Sequence, residues 1–262
     1  MKKIIGLSVL AVFLLPMLGF SEGAFSFRLG YFVPNAKSDL WDIEFENMTF
    51  QKKDFNALTF GVSYEYFMTR EVSLVIGADF YSRSRVGIYR DWVGYTIDGY
   101  DYAFPFSDYD GDFDLSQRFR TSIVPIQASI KLTPLGRRAG IIPYIGGGVS
   151  LYVWSVDLEG DLVDFEDQYV YDDPDLGDVD VYGVYPIDAR QESKLAVGFH
   201  AFGGIMIPIG RRTAIEAEFK YSNGKGKFSE PRSSRDQGNG FAGFDKFDLG
   251  GYQVSIGINY WF

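Results

Sequence analysis

From Ser107 onward the chain reads SDYDGDFDLSQRF, with carboxylates on alternate positions: Asp108, Asp110, Asp112 and Asp114. Hard divalent cations take oxygen ligands, and calcium loops present them at this spacing. The EF-hand version also needs glycine at its sixth position and glutamate at its twelfth. Counted from Asp108, those positions hold Phe113 and Phe119, so that motif fails and a weak, non-EF metal candidate remains. Acid is abundant around it. Residues 84–118 and 156–193 hold 20 of the 35 Asp and Glu, and the second stretch sets 13 of them against Arg190 alone. Collective binding of divalent cations at these acidic stretches is the one cofactor chemistry left open; otherwise no cofactor is expected. His200 is the single histidine. Arg70, Arg137-Arg138 and Arg211-Arg212 are basic groups that suit anionic headgroups and turn solubility equally.

The elements that would carry these residues are strands. Aromatics are 18% of the chain and glycines number 30, a composition of strands and turns. Period-2 alternation marks eight segments: about Phe25 to Val33, Ala57 to Tyr66, Val72 to Arg83, Ser122 to Leu132, Tyr144 to Ser155, Lys194 to Ile207, Ala214 to Tyr221, and the terminal GYQVSIGINYWF. Short connections (FMTRE, TPLGRRAGII, PIGRRT) alternate with long ones at 34–56, 84–118, 156–193 and 222–248. Strict short-long alternation around an even number of strands is the pattern of a transmembrane β-barrel, with periplasmic turns at one end and extracellular loops at the other.

The two faces of these strands differ in kind. One is an apolar stripe, with Phe25, Phe27, Tyr66, Tyr260 and Phe262 towards the periplasmic edge and Phe60, Phe80, Tyr221 and Tyr252 towards the outer edge, as two girdles around an aliphatic band. The other carries Arg28, Glu65, Asp79, Arg83, Lys131, Glu216, Glu218 and Lys220. Those charges would be costly in lipid and can pair in a lumen. Alternation by itself also fits a secreted, soluble lipocalin-type barrel with the faces exchanged. An eight-stranded lumen is normally filled by side chains, but Gly61, Gly77, Gly146, Gly148, Gly198, Gly204 and Gly257 on the lumenal face leave room for a cavity. Pro125 interrupts a strand that has no free edge, so a bulge or outward bend is expected there.

The amino end is a signal-peptide pattern: Lys2-Lys3, an apolar run from Ile4 to Leu18, then Gly19-Phe20-Ser21. Cleavage is expected after Ser21, or alternatively after Gly23, leaving residues 22–262 as a single barrel domain. The chain has no cysteine, so neither a lipid anchor nor a disulfide holds it. Its formal charge of −10 becomes −12 once Lys2 and Lys3 are removed, which excludes nucleic acid as a natural partner.

The segments RLGYFVP, PYIGGGVSLYVW and the terminal GINYWF resemble the small eight-stranded outer-membrane proteins of Gram-negative bacteria, the OmpW-like and OmpX/OmpA-barrel group. The resemblance implies an outer-membrane location, lipid, lipopolysaccharide and the outer-membrane assembly machinery as partners, and a monomer. It also implies that Tyr260 and Phe262 belong to the terminal signal read during assembly. A non-enzymatic structural or surface role, or a narrow passage for small apolar molecules, follows from it. Some barrels of this size modify lipid A, and their deacylases place a serine two residues after a histidine. Here that position is Phe202, so no catalytic residue is expected.

Overall fold

The computed structural model describes residues 22–137, 139–228, 241 and 243–262, without the side chains of 192 and 193. The expected signal segment and Arg138 lie outside these residues. Among the described residues eleven strands form: β1 Gly23–Pro34, β2 Ala57–Phe67, β3 Val72–Ile88, β4 Trp92–Ile97, β5 Tyr100–Pro105, β6 Ser116–Leu132, β7 Ile142–Asp173, β8 Gly177–Pro208, β9 Thr213–Lys227, β10 Lys246–Asp248 and β11 Gly251–Trp261. Eight of them close a ring, in the order β1, β2, β3, β6, β7, β8, β9, β11 and back to β1, with every neighbour antiparallel. Closure leaves no unpaired edge, which is the condition for crossing lipid with strands. The chain is an all-β, eight-stranded antiparallel transmembrane β-barrel.

Facing follows the sequence pattern. Outward residues such as Leu29, Leu58, Val197 and Ile256 are exposed, while the alternating Arg28, Glu65, Lys131 and Ser255 are buried. This arrangement rules out the lipocalin-type alternative, whose apolar side chains would fill the inside. The girdle residues meet in pairs across neighbouring strands. Phe60 stacks on Phe80 with 4.6 Å between ring centroids, and Tyr221 lies 5.1 Å from Tyr252.

The long connections are not loops of the kind expected. Strands β7 and β8 run through 156–193 as 32 residues each and turn over only Pro174 to Leu176. Asp173 Oδ1 accepts the amide hydrogens of Asp175 and Leu176, and Gly177 takes a positive φ of 79°, so the turn closes on its own side chain. Within 84–118, Asp98 and Gly99 both have positive φ and join β4 to β5 as a tight hairpin. Within 34–56 the chain forms a helix, α1 (Asp39–Asn47), and a short 3-10 turn at Lys52–Phe55.

Pro125 also differs from expectation. The β3–β6 register is the same on both sides of it, from Ala78↔Ile126 to Tyr81↔Ile123, so there is no bulge. Pairing lapses only at the two intervening positions, and the carbonyl of Phe80 there accepts the Thr59 hydroxyl at 2.8 Å. Proline's missing donor is absorbed by a gap in one ladder, while its pairing with Tyr152 on β7 persists.

Candidate functional site

The lumen is the place where charge, burial and shape converge, and it is built in three layers. At the periplasmic end Ile142, Tyr144, Met206 and Ala214 form an apolar floor with Phe202 and Trp261 packed against it. Above it lies an ionic layer. Lys220 Nζ sits 2.9 Å from Asp79, 3.0 Å from Gln127 Oε1 and 3.5 Å from Glu218. Lys131 Nζ donates to Glu65 at 2.8 Å and lies 4.2 Å from the Tyr144 ring centre. Arg28 donates to Ser63 at 3.1 Å and stands 3.6 Å from Asp79 and 4.0 Å from Glu216. Tyr144 donates to Glu218, and Asn259 donates to Ser26 and Glu216. Three cations thus face four carboxylates. Arg137 at the periplasmic turn supplies the fourth cation, reaching 3.9 Å from Glu65 while stacked on Phe67.

Seven of the eight charges expected inside belong to this network. Arg83 does not. Its Nε donates to the carbonyl of Asp54 and ties the 3-10 turn to the barrel rim. The network is a high-stakes arrangement: removing one partner of a buried pair costs about 3–5 kcal/mol, because the other charge is left uncompensated.

The third layer closes the extracellular mouth. Trp41 of α1 is fully buried, edge-on to Phe55 and Phe119 and stacked on Phe247. Trp154 stacks on the other side of that cluster through Phe247 at 5.7 Å. Ser38, ahead of α1, accepts the Asp248 amide hydrogen, and the Asp248 carboxylate accepts from Lys37, so β10 anchors the helix start. Sequence reasoning missed this plug. The available signal was Leu40, Trp41 and Glu44 spaced for one helical face just after an N-cap serine.

The lumenal glycines hold no open cavity. A Cβ at Gly146 would strike the Phe202 ring, one at Gly204 would meet Tyr144, and one at Gly224 would meet Tyr152. The glycines are the space into which those large rings lean. Among the described residues, small voids of about 20 Å³ lie in the ionic layer and beside Tyr152, each with room for about one water.

His200 faces inward, held between the hydroxyls of Ser129 (2.6 Å) and Ser150 (2.7 Å). It is 2% exposed. Asp108, Asp110, Asp112 and Asp114 lie in the segment after β5, and among the described residues no three metal-ligating side chains come together, there or elsewhere. Tyr260 pairs with Phe25, while Phe262 and Gly23 exchange backbone hydrogen bonds at 3.0 and 3.4 Å. Those two residues therefore sit at the foot of the closing seam.

No family model matches the chain, and no curated protein matches it. Solved structures similar to it include OprG of Pseudomonas aeruginosa, an outer membrane protein, at 11% identity over 93% of this chain and 98% of that one, with a TM-score of 0.47. Neisserial surface protein A is 11% identical over 92% and 97%, with a TM-score of 0.43. Ail of Yersinia pestis, crystallised with the heparin analogue sucrose octasulfate, is 14% identical over 92% and 99%, with a TM-score of 0.39. The eight-stranded barrel of this chain rests on its own closed strand order and the facing of its side chains.

Proposed function

We propose that the protein is a non-enzymatic barrel of the Gram-negative outer membrane with a non-conducting lumen, and that its role lies in what it presents outside the cell. The observation that carries this reading is the filling of the lumen: among the described residues an apolar floor, an ionic layer and an aromatic plug follow one another along it. A passage for small apolar molecules finds little support there, since such a solute would have to cross the desolvated ion pairs of the middle layer. The outer-membrane location is supported by the exposed apolar band, its two aromatic girdles and the signal-like amino end.

The test is reconstitution. Refolded protein in planar bilayers should give silent current traces, and vesicles carrying it should take up a small apolar solute no faster than empty ones. Sustained unitary currents, or accelerated uptake, would overturn the reading.

A further inference from the structure

Beyond the barrel wall β4, β5, β8 and β7 lie side by side as a small sheet, and one of its faces is aromatic. The pairs Tyr102↔Gly183 and Val181↔Tyr169 put Tyr102 and Tyr169 on that face. Strand alternation adds Tyr100 and Tyr185. The half of the face farther from the membrane is covered by the chain itself: the Tyr109 ring lies 4.9 Å from Phe104, and its hydroxyl donates to Asp173 at 2.9 Å. The half nearer the membrane is open, with Tyr100, Tyr169 and Tyr185 exposed and Tyr102 half-buried. Its rings are held in place. Tyr102 meets Tyr169 edge-on at 5.4 Å between centroids. Tyr185 donates to Asp167, and the same carboxylate raises the Tyr169 hydroxyl above its ordinary pKa, first through a hydrogen bond and then through its charge. Gly183 leaves the room for this, since a Cβ there would strike both Asp167 and the Tyr185 ring.

Three tyrosine rings gathered around one carboxylate suit a cation. A ring face attracts positive charge, and a guanidinium also stacks on it and forms paired hydrogen bonds with a carboxylate. The surroundings point the same way. Residues 91–114 and 161–188, which carry the sheet, hold 17 of the 35 Asp and Glu and no Lys, Arg or His. That field repels anions and gains nothing from a neutral ligand. A single small cation would meet one carboxylate and leave the rest as they were. A chain bearing several cations would be complementary to the whole ribbon.

We propose that Tyr102, Tyr169, Tyr185 and Asp167 form a receiving site for an arginine side chain of a cationic polypeptide, whose neighbouring basic residues meet the carboxylates around it. The inference deepens the role outside the cell proposed above and rests on it. Full-length protein refolded in a polyoxyethylene detergent is titrated with a labelled nona-arginine peptide at physiological salt, where attraction between exposed charges is screened beyond about 8 Å. Tyr169→Leu/Tyr185→Leu leaves the charge unchanged and should weaken binding about tenfold. Tyr169→Phe/Tyr185→Phe keeps the rings and should stay within about twofold of the wild type. Asp167→Asn should lose about threefold. Asp178→Asn removes the same charge from the opposite face of the sheet and should lose less than Asp167→Asn does.

Wild-type affinity in the leucine variant, equal losses in the leucine and phenylalanine variants, or equal losses at Asp167 and Asp178 would overturn the site. Displacement of the peptide by free arginine at equal guanidinium concentration would overturn the polypeptide as its source. Displacement by a neutral oligosaccharide would assign the rings to a sugar instead. The role outside the cell is read separately: Leu176→Cys, at the exposed turn of the ribbon, should react with a membrane-impermeant maleimide on intact cells. No reaction there would refute that role, while the peptide affinities of the purified protein would still decide the site.

Discussion

Glu44 shows how much one side chain can hold in tension. It is 5% exposed on the inner face of α1, and its Oε2 has no hydrogen-bond partner among the described residues. Burial pushes its carboxyl up to about 8 from an ordinary 4.5. Tyr89 on the neighbouring wall is pushed up to about 12, first by its own burial and then by the nearby charges of Glu44 and Asp161. A raised folded-state pKa gives stability that is complete below the unfolded value and is lost as pH rises through the folded one. The plug should therefore be tightest at and below about pH 4.5, loosen progressively up to about pH 8, and change no further through Glu44 above that. Protease cutting within residues 34–56, followed against pH, should rise across that window in the wild type and stay flat in Glu44→Gln. Equal pH dependence in both would show that another group controls the plug.

At the scale of elements, each barrel strand divides its residues between lipid and lumen one by one. Ile256 is 65% exposed and pairs with Leu29 and Ala217, whereas Ser255 beside it is 3% exposed. Ile256→Arg should cost ~2–4 kcal/mol near the midplane, read as a lowered denaturant midpoint in vesicles, while a lipid-phase probe should label cysteine at 256 far more than at 255. Stronger labelling at 255 would invert the barrel. This facing was legible in the sequence because the period is 2 and the apolar set is unbroken. The upper halves of β7 and β8 were not, because aspartate fills many of their positions and reads as loop; yet Val163 and Val184 pair and are buried in the plug cluster, and Val181 is buried against Val93 and Phe104. The β4–β5 hairpin did carry a local signal in Asp98-Gly99. The filling of the lumen carried none, since Gly204 and Tyr144 are far apart in the chain and meet only once the register is set.

For the whole molecule, the decisive contact is the seam between the first and last strands. β1 and β11 pair from Ala24↔Trp261 to Pro34↔Gly251, and Phe262 adds its reciprocal backbone bonds to Gly23. These contacts join residues more than two hundred positions apart, so closure waits for both ends of the barrel. Removing Phe262 takes away those bonds and a ring lying 6.2 Å from Tyr64. The expected result is a lower yield of heat-resistant barrel in outer-membrane fractions. Wild-type yield would mean that Phe262 carries no assembly signal.

The β7–β8 ribbon continues the same hydrogen-bonded strands that line the lumen, with register shifts only near Trp154 and Asp164. From Val153 to Asp173 it adds roughly 65 Å of strand at ~3.3 Å per residue. Its tip, where Val170 and Leu176 are exposed, is thus joined to the membrane without a flexible linker. Orientational freedom that a loop would surrender on meeting a partner has already been given up when the barrel folds. A macromolecule engaging the tip would face a smaller entropic penalty for ordering it, at the expense of adaptability to partners of different shape.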